Sequence, residues 1–138
     1  MDLQQLDFDL PAPGYAHPGD AGLDLYAAQS GLVTGDTVLI PTGVAVAIPD
    51  GHVGLVCPRS GLSKHGVTVA NAPGVVDSGY RGELMVRLTT TSSTPYVVQR
   101  GDRIAQLVVI PVARPTITIV NTLDDTERGT NGFGSTGR

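Results

Sequence analysis

Short apolar runs recur along the chain, and glycine, proline, asparagine or serine cuts each one off before a helical period can develop. The pattern predicts β-strands near Leu23–Ala27, Leu32–Ile40, Val44–Ile48, Val53–Cys57, Val67–Ala70, Leu84–Thr90, Tyr96–Val98, Arg103–Ile110 and Thr116–Val120. Turn signals fall at Gly35-Asp36, Pro41-Thr42-Gly43, Pro49-Asp50-Gly51, Ser92-Ser93-Thr94-Pro95 and Arg100-Gly101-Asp102. One or two helical turns fit around Ser60–His65. Strands this short, at this spacing, suggest a sandwich or jelly roll. There is no internal repeat and no linker, and composition shifts only after Thr122. The expected organisation is one all-β, jelly-roll-like domain over residues 1–121, followed by a flexible glycine-rich arm over 122–138.

Composition agrees with a turn-rich β protein. The 138 residues suffice for one domain with a modest core. Aromatic residues make up 4% and tryptophan is absent, so the 41% hydrophobic share is mostly Val, Leu, Ala and Ile. The 18 glycines and 10 prolines stay below the level that argues for disorder. A net charge of −4 argues against a long nucleic acid as ligand, although local arginines and a metal ion could still hold a small polyanion. Cys57 is the one cysteine, so no intrachain disulfide can form, and its apolar setting suggests a buried thiol. The first residues lack the basic and apolar segments of a targeting signal, and no run approaches a membrane span. The expectation is a soluble, cytoplasmic protein with no membrane association.

Residues 71–83, Asn71-Ala72-Pro73-Gly74-Val75-Val76-Asp77-Ser78-Gly79-Tyr80-Arg81-Gly82-Glu83, place one carboxylate and one ring on a glycine-flanked reversal between two β-prone runs. A hairpin tip with small residues lets a ligand reach backbone N–H and C=O groups, which can pair with a nucleobase edge. Asp77 and Tyr80 would flank that ligand. An ordinary surface turn, with Asp77 satisfying its own backbone, fits the segment equally well. The segment Arg128-Gly129-Thr130-Asn131-Gly132-Phe133-Gly134-Ser135-Thr136-Gly137-Arg138 contains a formal G-x-G-x-x-G. A dinucleotide fold needs a strand before that pattern and a helix after it, and only Arg138 follows. Such an arm can wrap a phosphate chain in backbone amides while Phe133 stacks on a base. A disordered tail is the plainer alternative.

Three further segments bear on the choice: Pro18-Gly19-Asp20-Ala21-Gly22-Leu23-Asp24-Leu25, Pro58-Arg59-Ser60-Gly61-Leu62 and Gly101-Asp102-Arg103-Ile104-Ala105-Gln106-Leu107. With the hairpin and the tail they make five motifs in a fixed order, and from about Pro18 to Arg138 the chain resembles the homotrimeric deoxyuridine triphosphatases (dUTPases). Asn131 departs from the family's usual tail residue, and the stretch from Arg59 to Asn71 is of variable length in that family.

The resemblance implies a jelly-roll-like (β-clip) fold in a homotrimer with an exchanged C-terminal arm, each active site being shared by the three subunits. It implies hydrolysis of dUTP to dUMP and pyrophosphate, which keeps uracil out of DNA and supplies dUMP for thymidylate synthesis. Attack by water needs an oriented nucleophile and charge neutralisation on the phosphates, and Asp77 is the candidate to orient that water. Mg²⁺ is the implied cofactor, with Asp24 near it through water; as an alternative, Asp24 simply fixes the Ala21-Gly22 turn. Arg59, Ser60, Gly61 and Gln106 would donate to phosphates, and Arg128, Gly134, Ser135 and Thr136 would close over them. Asn71 and the Gly74, Val75 and Val76 backbone would read uracil, Tyr80 would pack under the deoxyribose, and Phe133 would stack on the base. Arg103, Glu83 and Asp102 are expected to form structural ion pairs.

Other chemistries find less support. His17, His52 and His65 are scattered without zinc-ligand spacing. Neither G-x-S-x-G nor a Walker motif occurs. The related dCTP deaminases carry a catalytic Glu about ten residues after the motif Asp, where this chain has Arg87. A non-enzymatic jelly-roll module with a partner-binding tail is a rival of a different class, and a regulatory protein partner is compatible with either.

Overall fold

A β-prone run becomes a strand only where a second run completes its ladder, and the chain supplies most of those partners itself. The computed structural model describes residues 1–130. In chain order these form β1 (Asp2–Gln5), β2 (Gly22–Tyr26), β3 (Gly31–Val33), β4 (Val38–Ala47), β5 (His52–Cys57), α1 (Ser60–Ser63), β6 (Val67–Val69), β7 (Gly74–Val76), β8 (Glu83–Thr90), β9 (Tyr96–Val98) and β10 (Arg103–Pro111). One sheet runs β1-β4-β8-β6, a second runs β2-β10-β5-β7, and β3 pairs with β9 in a two-stranded ribbon. Every pairing is antiparallel. From β4 to β8 successive strands alternate between the two sheets, which is the winding of a jelly roll.

The core lies between the sheets. Leu25, Ile104 and Leu107 from one sheet meet Ile40, Val86 and Leu88 from the other, all essentially without solvent exposure, and Val33 and Val98 of the ribbon close one end. Burying each such side chain contributes about 1.5–3 kcal/mol. In β8 the alternation is complete: Leu84, Val86, Leu88 and Thr90 are buried while Met85 and Arg87 face out. Arg100 makes a two-pronged ion pair with Asp7, tying the N-terminal segment to the turn before β10. That hydrogen bond holds the Asp7 carboxyl below the usual carboxylate range and pushes the guanidinium up.

Several expected boundaries shift. The predicted strand Leu32–Ile40 is broken at Thr34–Thr37, and the predicted turn Pro41-Thr42-Gly43 lies within β4, where the ladder to β8 slips instead of ending. Between β6 and β8 the chain does not simply turn. It inserts β7, which crosses to the other sheet and pairs with β5. Thr116–Val120 forms no strand among the described residues, and Ile117 and Ile119 are 87% and 95% exposed. Among the described residues no strand pairs with it. Cys57, expected to be buried, is half-buried. No helix among the described residues is long and apolar enough to cross a membrane.

Candidate active site

Two cavities collect most of the sequence-predicted site residues, and they share none of their lining. The first, about 220 Å³, lies where β7 and the following turn meet the start of β8. Asn71, Gly74, Val75, Val76, Asp77 and Tyr80 all line it. β7 is the outermost strand of its sheet, paired with β5 on one side only. An edge strand presents main-chain donors and acceptors in a row, which is the equipment needed to pair with a flat polar ligand edge.

The turn after β7 is held by local bonds. Tyr80 N donates to Asp77 O at 3.0 Å, and Arg81 Nη1 donates to the carbonyls of Ser78 and Tyr80, each at 2.7 Å. The Tyr80 hydroxyl donates to Glu83 O at 2.9 Å. The ring can fold back this far because residue 82 is glycine: a Cβ there would sit 2.7 Å from Tyr80 Cζ. The Asp77 side chain is exposed and makes no hydrogen bond among the described residues, so its oxygens are available to water or ligand. Together these features give a small half-polar pocket with a ring on one wall and an uncommitted carboxylate at its mouth.

The second cavity, about 690 Å³, is lined by Asp24, Arg59, Ser60, Arg103 and Gln106, with His17 and Asp20 also on its wall. Asp24 on β2 is 8% exposed, yet it is fully paired. Its Oδ1 accepts from Arg59 Nε at 2.7 Å and its Oδ2 from Arg103 Nη1 at 3.3 Å. Arg59 Nη1 also donates to Arg103 O at 3.2 Å. Gln106 is opposite Asp24 in the β2–β10 ladder and donates to Pro58 O at 2.9 Å. Its side chain lies across β2 because Gly22 has no Cβ, which would fall 2.9 Å from Gln106 Cδ. Two guanidiniums against one buried carboxylate leave local positive charge, and such forks suit phosphate oxygens.

Some expectations are not met by this geometry. Gly61 and Arg128 line neither cavity. Phe133, Gly134, Ser135 and Thr136 lie outside the described residues. Arg103 does form an ion pair, but Glu83 accepts from Gly43 N at 2.7 Å and Asp102 from Gln99 N at 2.8 Å, so these two carboxylates satisfy backbone amides instead. Sequence reasoning missed Arg103 and Glu83 as cavity residues. The signal for Arg103 was present, since Arg103 and Gln106 flank one short strand segment opposite Asp24. No group of three or more His, Cys, Asp or Glu side chains that could hold a metal occurs among the described residues. A single arginine-paired carboxylate cannot form a cage, but it suits an ion that keeps its own waters and phosphate ligands.

Comparisons with known proteins bear on the family. A family model described as dUTPase matches residues 9–137. A deoxyuridine 5'-triphosphate nucleotidohydrolase from Thermobifida fusca is 52% identical over 140 residues, covering 99% of this chain and 78% of the relative. One from Leifsonia xyli is 56% identical over 128 residues, covering 91% and 84%. Among solved structures, a Staphylococcus bacteriophage 80alpha dUTPase mutant with dUpNHpp superposes with a TM-score of 0.86 at 28% identity, covering 99% of this chain and 98% of that one. A dUTPase mutant from phage phi11 of S. aureus, reported for its coordination of a structural Mg(II) ion, has a TM-score of 0.79 at 26% identity, with 88% and 96% covered. The family model over residues 9–137 and the two relatives, each about half identical and matched over 91% or more of this chain, mean that the chain belongs to the dUTPase family.

Proposed function

We propose that this protein hydrolyses dUTP to dUMP and pyrophosphate, reading the nucleoside in the β7 cavity and holding the triphosphate in the arginine-lined one. The observation that carries the proposal is the pairing of two unlike cavities on one chain: a small, half-polar one on a strand edge and a larger one with clustered guanidiniums.

In the nucleoside cavity, Asn71 and the Gly74–Val76 backbone satisfy the polar edge of uracil. Rejection of a C5 methyl is steric and depends on how tightly the segment around β7 closes on the ring. Tyr80, fixed by Gly82 and by Glu83 O, stands against the sugar and excludes a 2′-hydroxyl. Exclusion of this kind combines steric rejection with the cost of leaving buried polar groups unpaired. Asp77 orients the attacking water. An ordinary carboxylate is ionised at neutral pH but weakly basic, so its main contribution is alignment.

Arg59, Ser60 and Gln106 donate to the phosphate oxygens, with Arg103 behind them. Mg²⁺ is the ion this donor set suits, held by the substrate phosphates and, through its waters, by Asp24. When bound it neutralises phosphate charge. Arg128 and the tail residues Phe133, Gly134, Ser135 and Thr136 close over the substrate. A complete site is built between subunits of a homotrimer, as in the family this chain belongs to, and two cavities with no lining residue in common are compatible with that arrangement.

The test is pyrophosphate release from dUTP with Mg²⁺, run beside dCTP, dTTP and UTP. Efficient turnover of dUTP with the other three poor is the expected result. Comparable rates on all four would refute the edge-reading pocket, and ammonia from dCTP would assign the chain to the deaminases.

A further inference from the structure

The ladder between β4 and β8 contains a defect that adjoins the nucleoside cavity. Pro41 pairs with Met85, and the next pair is Ala45 with Glu83. Thr42, Gly43 and Val44 therefore stand against Leu84 alone, a three-against-one bulge in an otherwise regular pair. A bulge strands main-chain groups that the ladder would have satisfied, and here two side chains repair it. Thr42, 2% exposed, donates through Oγ1 to Leu84 O at 2.7 Å. Gly43 N donates to Glu83 Oε1 at 2.7 Å.

Gly43 cannot move to find another partner. Its φ is +69°, its carbonyl accepts from Leu6 N at 2.7 Å and Asp7 N at 3.2 Å, and a Cβ would lie 2.7 Å from Asp7 Cβ. Its N–H is thus a fixed point, and the Glu83 carboxylate is moored to it by a charge-assisted bond. Glu83 has a second grip through its main chain: its carbonyl accepts the Tyr80 hydroxyl at 2.9 Å, and the residue lines the same cavity as Tyr80 and Asp77.

We propose that Glu83 is a positioning residue for sugar discrimination: its carboxylate anchors the start of β8 to the β4 bulge and so fixes the carbonyl that holds Tyr80 against the substrate. This rests on the proposed role of Tyr80 in the dUTP reaction. Glu83 acts through Tyr80, whose hydroxyl its carbonyl accepts. Its effect travels through one residue, from Gly43 N–H to the carboxylate and from the carbonyl to the Tyr80 hydroxyl. Thr42 repairs the same bulge but has no bond to Tyr80, which makes it the natural control.

The experiment compares Glu83→Ala, Glu83→Gln and Thr42→Ala for kcat and KM on dUTP and on UTP, with the ring resonances of isotopically labelled Tyr80 followed by NMR. Glu83→Ala is expected to raise KM for dUTP and to lower the dUTP-over-UTP preference about tenfold while kcat on dUTP stays within about twofold. Glu83→Gln keeps an acceptor for Gly43 N–H and should restore most of the preference. Thr42→Ala should lower stability and leave the preference unchanged. Glu83→Ala combined with Tyr80→Phe should lose no more preference than either alone, because both cut one connection. An unchanged preference in Glu83→Ala, or an equal loss in Thr42→Ala, overturns the proposal. The NMR arm separates the two levels of inference. A Tyr80 shift in Glu83→Ala alone supports the mooring even if dUTP proves not to be the substrate, and its absence refutes the mooring whatever the substrate.

Discussion

Replacing Asp24 by Asn separates the structural work of this carboxylate from its proposed work near a metal. In the folded chain Oδ1 accepts from Arg59 at 2.7 Å and Oδ2 from Arg103 at 3.3 Å. Asn retains one acceptor, so one bond survives while the other position turns a donor towards a donor. A hydrogen bond to a charged group contributes about 1.5–3 kcal/mol. The Arg103 side chain is 49% exposed and can turn to water, which puts its loss at the low end, whereas Arg59, at 23%, loses a countercharge it cannot easily replace. The net expectation is a loss of about 2 kcal/mol. With a urea slope of roughly 2 kcal/mol per molar, the unfolding midpoint falls by about 1 M at fixed protein concentration. A midpoint unchanged in the absence of metal would refute the pairing argument. In the same variant the Mg²⁺ concentration for half-maximal activity should rise about tenfold, since a neutral amide orients metal-bound water less well than a carboxylate. An unaltered Mg²⁺ dependence would remove Asp24 from the ion's surroundings and leave the ion pairs intact.

Asp77→Asn preserves shape and removes the anionic acceptor, so kcat should fall roughly a hundredfold or more with little change in nucleotide binding; near-normal turnover would show that another group aligns the water. Gly82→Ala should displace the Tyr80 ring that now occupies the space of a Cβ, weakening rejection of UTP more than it slows dUTP, as competing-substrate assays would read. Asp7 has its folded pKa lowered by the Arg100 hydrogen bond, so its contribution to stability is present above the unfolded carboxylate range and is lost as pH falls through the folded value. The stability gap between the wild type and Asp7→Asn should therefore be flat near neutrality and begin to narrow below about pH 4, and a gap that stays constant as the solution is acidified further would contradict the pairing. Sedimentation equilibrium should give three times 14.3 kDa, and a stable, active monomer would remove the shared-site proposal.

The parts of the fold that follow from local pattern were legible. The alternation in β8 and the short apolar run of β9 can be read directly, because each residue's environment is set by the pleat of its own strand. Three features were not. β1 is polar, Asp-Leu-Gln-Gln, and is a strand only because the edge of β4 is there to receive it. β7 hides among the Gly, Pro and Asn of a reversal, and its strand character comes from β5 in the opposite sheet. Pro41-Thr42-Gly43 carries turn chemistry that the fold spends on a bulge. The opposite failure is Thr116–Val120, whose alternation is real but whose partner is not on the described chain.

The candidate site divides along the same line. Residue types and order brought Asn71, Asp77 and Tyr80 together, because they share one turn, and Asp24 with Arg59 and Gln106 once β2, β5 and β10 lie side by side. No sequence pattern could say that the two groups open into different cavities, since that depends on β7 standing at the outer end of its sheet and β2 at the other. β10 and β5 lie between these two edge strands. In the proposed reaction a nucleoside triphosphate meets both cavities at once, and the proposed homotrimer supplies them from different copies. The exposed apolar positions at Ile117 and Ile119 lie on the segment that leaves the fold after β10, unpartnered among the described residues, where a neighbouring copy could take them up. On that proposal assembly is part of the chemistry: a monomer of this chain is expected to keep its fold and its two cavities and to be inactive, and an active monomer would refute it.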